Sequence, residues 1–598
     1  MKIRGADYIA QRVAEQGMTH VFGVTGGGAM HLNDAFGAEP RLTTVYFHHE
    51  QAAAMAAEGY ARIAGRPAVL NVTTGPGGIN ALNGVFGAYT DSIPMLVVSG
   101  QVKRETLLAL NPIPGLRQLG DQEVDIMAMA APVTKWRQLV RSPDDVPGAV
   151  DRALVEAVSG RPGPTWIDIP VDVQGAPVPE ELRADLPLAY PTPLAPDPQL
   201  VASVLAELRR ARRPVILAGT GVRIAGAETV FLEVAALLGI PVVTAWTHDL
   251  IHESHPLFAG RPGTIGTRAG NFVVQNAYCI LVLGSRLNIR QVSYNWASFG
   301  RHARKIWVDI DRAEFDKPFV RPDLAVQAHL EPFLFELRAA AAAENWAVRH
   351  GGWLRWCQMT RAKYSPKAND YPVSPDAINA YHFVDELFEQ LAPDDIVVCG
   401  DATATIVPFQ IGRLKPGMRL FSNSGSASMG YDLPAAIGAA IARPEARVIC
   451  LAGDGSIMMN IQELQTLRAL GANVKVLVLD NGGYLSIKQT QWNFFGREYG
   501  ASPDSGVTFP NFLRIGEAFG LSAAELTRDG WRRELTDVLA RDGPVVCRVP
   551  LDRKQEFQPR LKSRMVDGVI RTPELEDMFP FLPPDEIEAV RQSALAID

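Results

Sequence analysis

Two apolar runs constrain this chain more than anything else in it. Val448-Ile449-Cys450-Leu451-Ala452 leads into Gly453-Asp454-Gly455-Ser456, and Val474 to Leu479 leads into Asp480-Asn481. Continuous hydrophobic runs of this length read as strands buried on both faces of a parallel sheet. Each run ends in a polar, metal-competent residue. Asp454 and Asn481 are therefore expected side by side at the carboxyl edge of one sheet, where open α/β sheets bind ligands. Gly455 and Ser456 are expected to open a helix whose free N–H groups suit a phosphate. A hard cation held by few protein oxygens and by substrate phosphates is the Mg²⁺ pattern. The strand ends thus point to Mg²⁺ with a diphosphate.

A second segment carries different chemistry. His48-His49-Glu50-Gln51 opens an alanine-rich stretch running through Met55, Glu58, Gly59 and Tyr60 to Arg62. Thr73-Thr74-Gly75-Pro76-Gly77-Gly78-Ile79-Asn80 follows and reads as a strand end and a tight glycine-rich turn entering a helix. Asp91-Ser92-Ile93-Pro94-Met95 comes next.

Together these segments resemble the thiamine diphosphate (ThDP) enzymes, in which Gly-Asp-Gly, a spacer and Asn form the metal and diphosphate motif. The resemblance implies Asp454, Asn481 and the backbone oxygen of Gly483 as metal ligands. It implies Glu50 as the carboxylic partner of the cofactor's pyrimidine ring. That shared proton lets the cofactor's own amino group act as a base, while the protein supplies position and electrostatics. A Glu in an apolar setting can hold such a proton.

The likeness narrows to the acetolactate synthase-like branch and covers nearly the whole chain. Val21-Phe22-Gly23 with Gly26-Gly27-Gly28, Thr134-Lys135-Trp136, Gly160-Arg161-Pro162-Gly163-Pro164 and Gly425-Ser426-Ala427-Ser428-Met429-Gly430 all fall where that branch has similar words. It implies Met429 as the apolar residue that keeps the cofactor bent, beside Ser428. It implies Pro76 and Asn80 near the pyrimidine, and Asp401, Ala402, Thr403, Gly455, Ser456 and Tyr484 near the diphosphate. Gly28 and Gln122 face the reacting end, Gln122 as the acceptor contact, and His49 is a candidate donor to the developing alkoxide. The two halves of such a site come from different subunits, so a homodimer or homotetramer is expected.

Length and composition agree. A chain of 598 residues with 47% hydrophobic content has material for three or four buried cores. A net charge of −7 and no basic stripe argue against nucleic acid as a partner. No run is long enough for a membrane span, and no signal-peptide core opens the chain. The five cysteines form no CxxC pair, which suggests neither zinc nor a disulfide framework and fits a reducing cytoplasm. The expected fold is α/β, with three doubly wound parallel-sheet domains. These are a pyrimidine-binding domain over 1–185, a central Rossmann-like domain over 195–350 and a diphosphate-binding domain over 372–550. A tail, 551–598, docks on the body or closes over the site as a lid. Seven prolines in 174–198 mark one linker, and 364–375 a weaker one.

The central domain raises a second cofactor, FAD. Gly219 and Gly221 follow the strand-like run Pro214 to Ala218, where a backbone can approach a pyrophosphate. The resemblance implies Gly263, Gly284, Arg286 and Asp309 as further FAD contacts. Ile265 stands where the synthases commonly have a histidine.

Departures from the synthases bear on the substrate. Thr490 replaces their Trp, Asp121 a Phe before Gln122, Val171 a Lys, Gly28 an Ala, and Asp401-Ala402-Thr403 a Gln-His-Gln. Losing a cation weakens carboxylate recognition by roughly 1.5–3 kcal/mol, and losing Trp makes room. The expectation is a carboligase that decarboxylates pyruvate and passes the acetyl unit to a bulky carbonyl acceptor such as a nucleotide-linked deoxy keto-sugar. The tail phrase Glu574-Leu575-Glu576 to Pro583 resembles ThDP enzymes of branched-sugar (yersiniose-type) pathways. Acetolactate synthase, a C–C hydrolase of a cyclic dione, and a non-catalytic ThDP/FAD-binding regulator are the alternatives.

Overall fold

The computed structural model describes all residues except 1–2, 183–186, 247, 345, 348, 369–370, 567 and 598. Part of the Pro-rich stretch and of the 364–375 boundary therefore lies outside the described residues. The chain divides into two compact units. One comprises 1–191, 395–401 and 422–550, the other 192–394, 402–421 and 551–598.

The first unit holds two parallel sheets built the same way. In the N-terminal sheet, Thr43–Tyr46, His20–Gly23, Ala68–Val72, Met95–Gln101, Pro164–Pro170 and Trp136–Leu139 lie side by side in that order. In the C-terminal sheet five strands run Ile396–Cys399, Val448–Gly453, Val474–Asp480, Val545–Pro550, Ser522–Glu525. Both place the last strand of the chain order inside the one before it. Every pairing among these strands is parallel. The inner strands are buried almost throughout because helices cover both faces, whereas Thr43–Tyr46, Trp136–Leu139 and Ser522–Glu525 are partly exposed. The two runs that open the sequence argument are neighbours, with Gly453 level with Leu479.

Helices Glu50–Ala64 and Asp432–Ala442 are rich in alanine and glycine for a packing reason. A Cβ on Gly59 would lie 2.5 Å from the Ala435 carbonyl, and one on Gly438 1.9 Å from that of Ala56. The two helices meet backbone to backbone, closer than larger side chains allow.

The second unit holds the middle sheet. Its order is Phe258–Gly260, Val242–Thr244, Pro214–Ala218, Cys279–Leu283, Arg304–Asp309, Leu324–Gln327, all parallel. Numbered along the chain this is 3-2-1-4-5-6, the dinucleotide-binding order, with its switch point between Pro214–Ala218 and Cys279–Leu283. The C-terminal segment packs into this unit. Leu575, Met578, Ile587 and Ala594 are buried, and Leu575, Ile587 and Ala594 share a core with Phe272 and Trp353. Glu576, fully buried, pairs with Arg301 and Arg591. Arg268 donates to the carbonyls of Met578 and Pro580. All five cysteines are buried and free.

Candidate active site

Four strands of the N-terminal sheet deliver one cluster to their carboxyl edge. Glu50 is the first residue of its helix, half-buried, and its Oε2 accepts from Asn80 Nδ2 at 3.0 Å. Asn80 sits on helix Pro76–Thr90, which Pro76 opens and Gly75 caps at φ 62°. A Cβ on Gly75 would lie 2.0 Å from the Gln122 carbonyl, so this turn and the Gln122 loop touch. Gln122 itself has φ 64°, a conformation costly for a residue with a side chain and concentrated at functional sites. Gly28 joins them. Its N–H donates to Thr73 Oγ1, and its carbonyl accepts from Gln174 Nε2 at 2.7 Å. A Cβ on Gly28 would sit 1.8 Å from Thr74 Oγ1, so the threonine hydroxyl fills the space of the missing methyl. That hydroxyl is buried and has no hydrogen-bond partner.

The loop carrying Gln122 is anchored by groups that the sequence argument missed. Glu123 accepts from the N–H groups of Leu108 and Leu119. Gln101 Nε2 donates to the Val124 carbonyl and to Asp168, which also accepts from Ser99. Burial pushes the Asp168 carboxyl up to about 7.

The turn 425–430 is held from several sides within the unit. Ser428 Oγ donates to Asn83 Oδ1 at 2.8 Å, one helical turn beyond Asn80. Gly425 N–H donates to Asp91, which also receives Arg62 Nη2 at 2.6 Å. Arg62 pairs with buried Glu58, and Tyr431 Oη donates to the same carboxylate. Gly430 is pinned at both ends, its N–H by Ser456 Oγ and its carbonyl by Asn460 Nδ2, both at 2.8 Å. Met429, between Ser428 and Gly430, is half-buried. Backbone N–H of His48 is held by Glu463, which is buried and also takes Thr466 Oγ1.

The C-terminal sheet presents Asp454 at its edge. Its two oxygens accept from the N–H groups of Gly455 and Gly483, each at 2.8 Å. Burial pushes this carboxyl up to about 7, and the neighbouring Asp480 adds to the rise. Asn481 is buried beside it. Two glycines are required here. A Cβ on Gly455 would lie 2.1 Å from the Tyr484 ring, and one on Gly483, at φ 132°, 2.1 Å from the Ala501 carbonyl. The structure differs from expectation at the phosphate end. Helix Asp454–Ile457 is only one turn long, the Gly455 N–H is taken by Asp454, and the Ser456 hydroxyl accepts from Gly430 and hydrogen-bonds the Asp432 carboxyl, which burial pushes up to about 6. Asp401 and Ala402 lead into helix Thr403–Ile411, with Ala402 at φ 50° and Thr403 buried. Among the described residues no group of three or more His, Cys, Asp or Glu is arranged for a metal. A cation at this edge would use Asp454, Asn481, a backbone oxygen and its own ligand's phosphates.

In the middle sheet Gly219, Gly221 and Gly284 meet at the switch point. A Cβ on Gly219 would lie 2.4 Å from the Gly284 carbonyl, and one on Gly221 2.7 Å from Gly284 Cα. Their lack of side chains is demanded first by the packing of one turn on the other. Asp309 ends the next strand and accepts from Asp311 N–H. Arg286 lies in the Gly284 turn, its carbonyl held by Lys317. Gly263, at φ 147° in the loop after edge strand Phe258–Gly260, donates to Asn271 Oδ1 on helix Arg268–Asn276.

Three departures from the synthase pattern lie on accessible surfaces. Thr490 is exposed on helix Leu485–Phe495, Asp121 is exposed beside Gln122, and Val171 opens a short helix after Pro164–Pro170.

Comparisons with known proteins agree with this geometry. Residues 3–129, 201–337 and 400–549 match, respectively, the N-terminal TPP binding, central and C-terminal TPP binding domains of thiamine pyrophosphate enzymes. The chain is 32% identical over 566 residues to the acetolactate synthase isozyme 2 large subunit of Escherichia coli, covering 93% of this chain and 97% of that protein. It is 31% identical to the acetolactate synthase large subunit of Lactococcus lactis over 94% of each. It is 30% identical to the Escherichia coli isozyme 1 large subunit over 93% of this chain and 96% of that protein.

Proposed function

The chain belongs to the thiamine pyrophosphate enzymes, in their acetolactate synthase-like branch, and we propose that it is a ThDP- and Mg²⁺-dependent carboligase that takes pyruvate as donor and a carbonyl compound larger than pyruvate as acceptor. One observation carries the reading. A carboxyl held by an amide, Glu50 with Asn80, lies on one sheet edge, and a buried carboxyl, Asp454, lies on the other, with turn 425–430 bonded to both sides.

The residues fit the cofactors. Asp454, crowded by Asp480, is an acid that a divalent cation would relieve. Asp454, Asn481 and the Gly483 carbonyl would hold Mg²⁺, and Tyr484 and the 401–403 turn would flank the diphosphate. Bound ThDP supplies the electron sink for decarboxylation. Glu50, fixed by Asn80, keeps a proton at the pyrimidine. Met429 holds the bend from a turn anchored at Gly425 and Gly430. Gln122 contacts the acceptor. Decarboxylation is favoured where the leaving carboxylate meets little polar stabilisation. The switch point of the middle sheet, with its glycine turns and Asp309, suits the pyrophosphate and ribose of FAD, which would be structural because this chemistry transfers no net electrons.

Two features support a polar, bulky acceptor. Thr74 Oγ1 is buried without a partner beside Gly28, and exposed Thr490 leaves room where the synthases have Trp. A second copy of the chain would cover Ile113, Leu116 and Leu119 on the loop before Gln122, and Trp492, Phe494 and Phe495 after Thr490, all exposed. This supports a homodimer or homotetramer with shared sites, and the matches to three thiamine pyrophosphate enzyme domains support a three-domain division at 1–185, 195–350 and 372–550. The second reading, condensation of two pyruvates, is favoured by the similarity to acetolactate synthases. Pyruvate turnover by wild type and Glu50→Gln tests the family mechanism. CO₂ release is lost in the variant while ThDP stays bound, and full activity in it would refute the role.

A further inference from the structure

A cavity of about 500 Å³ lies wholly within the second unit, and no residue assigned above to ThDP, Mg²⁺ or FAD lines it. It falls in the size range of sites for small organic molecules. One wall is apolar, formed by Phe258, Phe388, Ile411, Leu414 and Tyr364. The other is charged. Arg261 is 2% exposed. It pairs with Glu253 through one amino group and its Nε donates to the His248 carbonyl, while its Nη2 is buried with no hydrogen-bond partner among the described residues. Arg361 enters from helix Gly351–Lys363 and spends Nη1 on the carbonyls of Glu253 and Phe258.

The charges do not cancel. Lys367 is matched by Asp385, and Arg413 by Glu389. Lys415 caps the carbonyls of Glu389 and Leu391. Glu253 alone faces both Arg261 and Arg361, and its Oε2 already accepts from Leu414 N–H. One negative charge is missing from the buried end. An unpaired buried cation is costly, and a guanidinium fork matches a carboxylate.

We propose that this cavity binds an organic monocarboxylate, its carboxylate on Arg261 and Arg361 and its hydrocarbon or aromatic body against the Phe258–Ile411 wall. A single anion balances the buried end, where Arg261 and Arg361 share Glu253, whereas a dianion would also meet Glu253. Ile411, on the cavity wall, ends the helix that begins at Thr403.

The test is calorimetric titration of the full-length protein, saturated with ThDP and Mg²⁺, using phenylacetate, which has no keto carbon to react. Saturable binding is expected, with phenylacetamide and phenyl phosphate each roughly tenfold weaker or worse. Glu50→Gln should bind phenylacetate like wild type, and Arg261→Met at least roughly tenfold more weakly. Should Arg261→Met not fold, Ala362→Trp, at an exposed helix position lining the cavity, blocks it by bulk. Unchanged binding in that variant, no binding by wild type, or equal binding of the amide overturns the proposal. Preference for phenyl phosphate overturns the monocarboxylate assignment. Binding confined to dissociated subunits assigns the cavity to a subunit contact and overturns it as well.

Discussion

The N-terminal and C-terminal sheets share a strand order yet carry opposite chemistry at the same edge. The first presents Glu50, which the proposed function uses for a proton, with Asn80 and the strained Gln122 beside it. The second presents Asp454, buried among backbone donors, which the proposed function uses for a cation. The difference teaches that the scaffold sets where a group emerges, and the local turn sets what it can do. Glu50 emerges at a helix start with one amide partner. Asp454 emerges into a turn of glycines too tight for any side chain.

The sharpest break of this comparison removes the cation side. Asp454→Ala should abolish Mg²⁺-dependent ThDP binding and cut turnover at least roughly 10³-fold, a loss in line with removing a main charge-stabilising group. Cofactor titration by fluorescence checks it. Glu50→Gln should cost roughly 10²–10⁴-fold in turnover, the range for a positioned acid–base group, with ThDP affinity little changed. Equal loss of ThDP binding in both variants would erase the distinction between the two edges.

A smaller effect concerns what joins the edges. Arg62→Met leaves Glu58 and Asp91 buried without their cation and frees the Gly425 anchor. A loss of roughly 3–5 kcal/mol in unfolding free energy is expected from breaking a buried pair. Denaturant unfolding measures it.

The mildest prediction is a pH slope. Asp168 holds its proton up to about 7 in the folded chain because it is buried, against roughly 3.9 unfolded. The folded state therefore binds the extra proton between these values, so stability falls as pH rises from about 4 to about 7 and is flat above. Asp168→Asn should remove that slope, worth at most roughly 4 kcal/mol across the window. An unchanged slope would mean Asp168 does not anchor the Gln122 loop as a buried acid.

Much of this was legible in the chain because it is written locally. The apolar run before Asp454 is continuous, that before Asn481 is broken only by Lys475, and each ends within one residue of its strand's end. Gly75-Pro76 announces a turn entering a helix, and it is one. What could not be read lies in pairs distant along the chain. Glu58, Arg62 and Asp91 each look like a solvated helix face, yet together they hold the turn at Gly425. Glu463 bonds His48 from the far sheet, which no spacing reveals. Ser456 looks free to meet a phosphate but is bonded to Gly430. The glycines at 219 and 284 look ligand-driven, whereas the turns first need them for each other.

The central claim concerns the acceptor, and product analysis by mass spectrometry tests it most directly. The enzyme, with ThDP, Mg²⁺ and FAD, would be given pyruvate alone and pyruvate with a nucleotide-linked keto-sugar or a simple bulky ketone. The account predicts an acetyl adduct of the added ketone as the main product, with little acetolactate. Acetolactate as the main product under both conditions would contradict it and assign the chain to the condensation of two pyruvates.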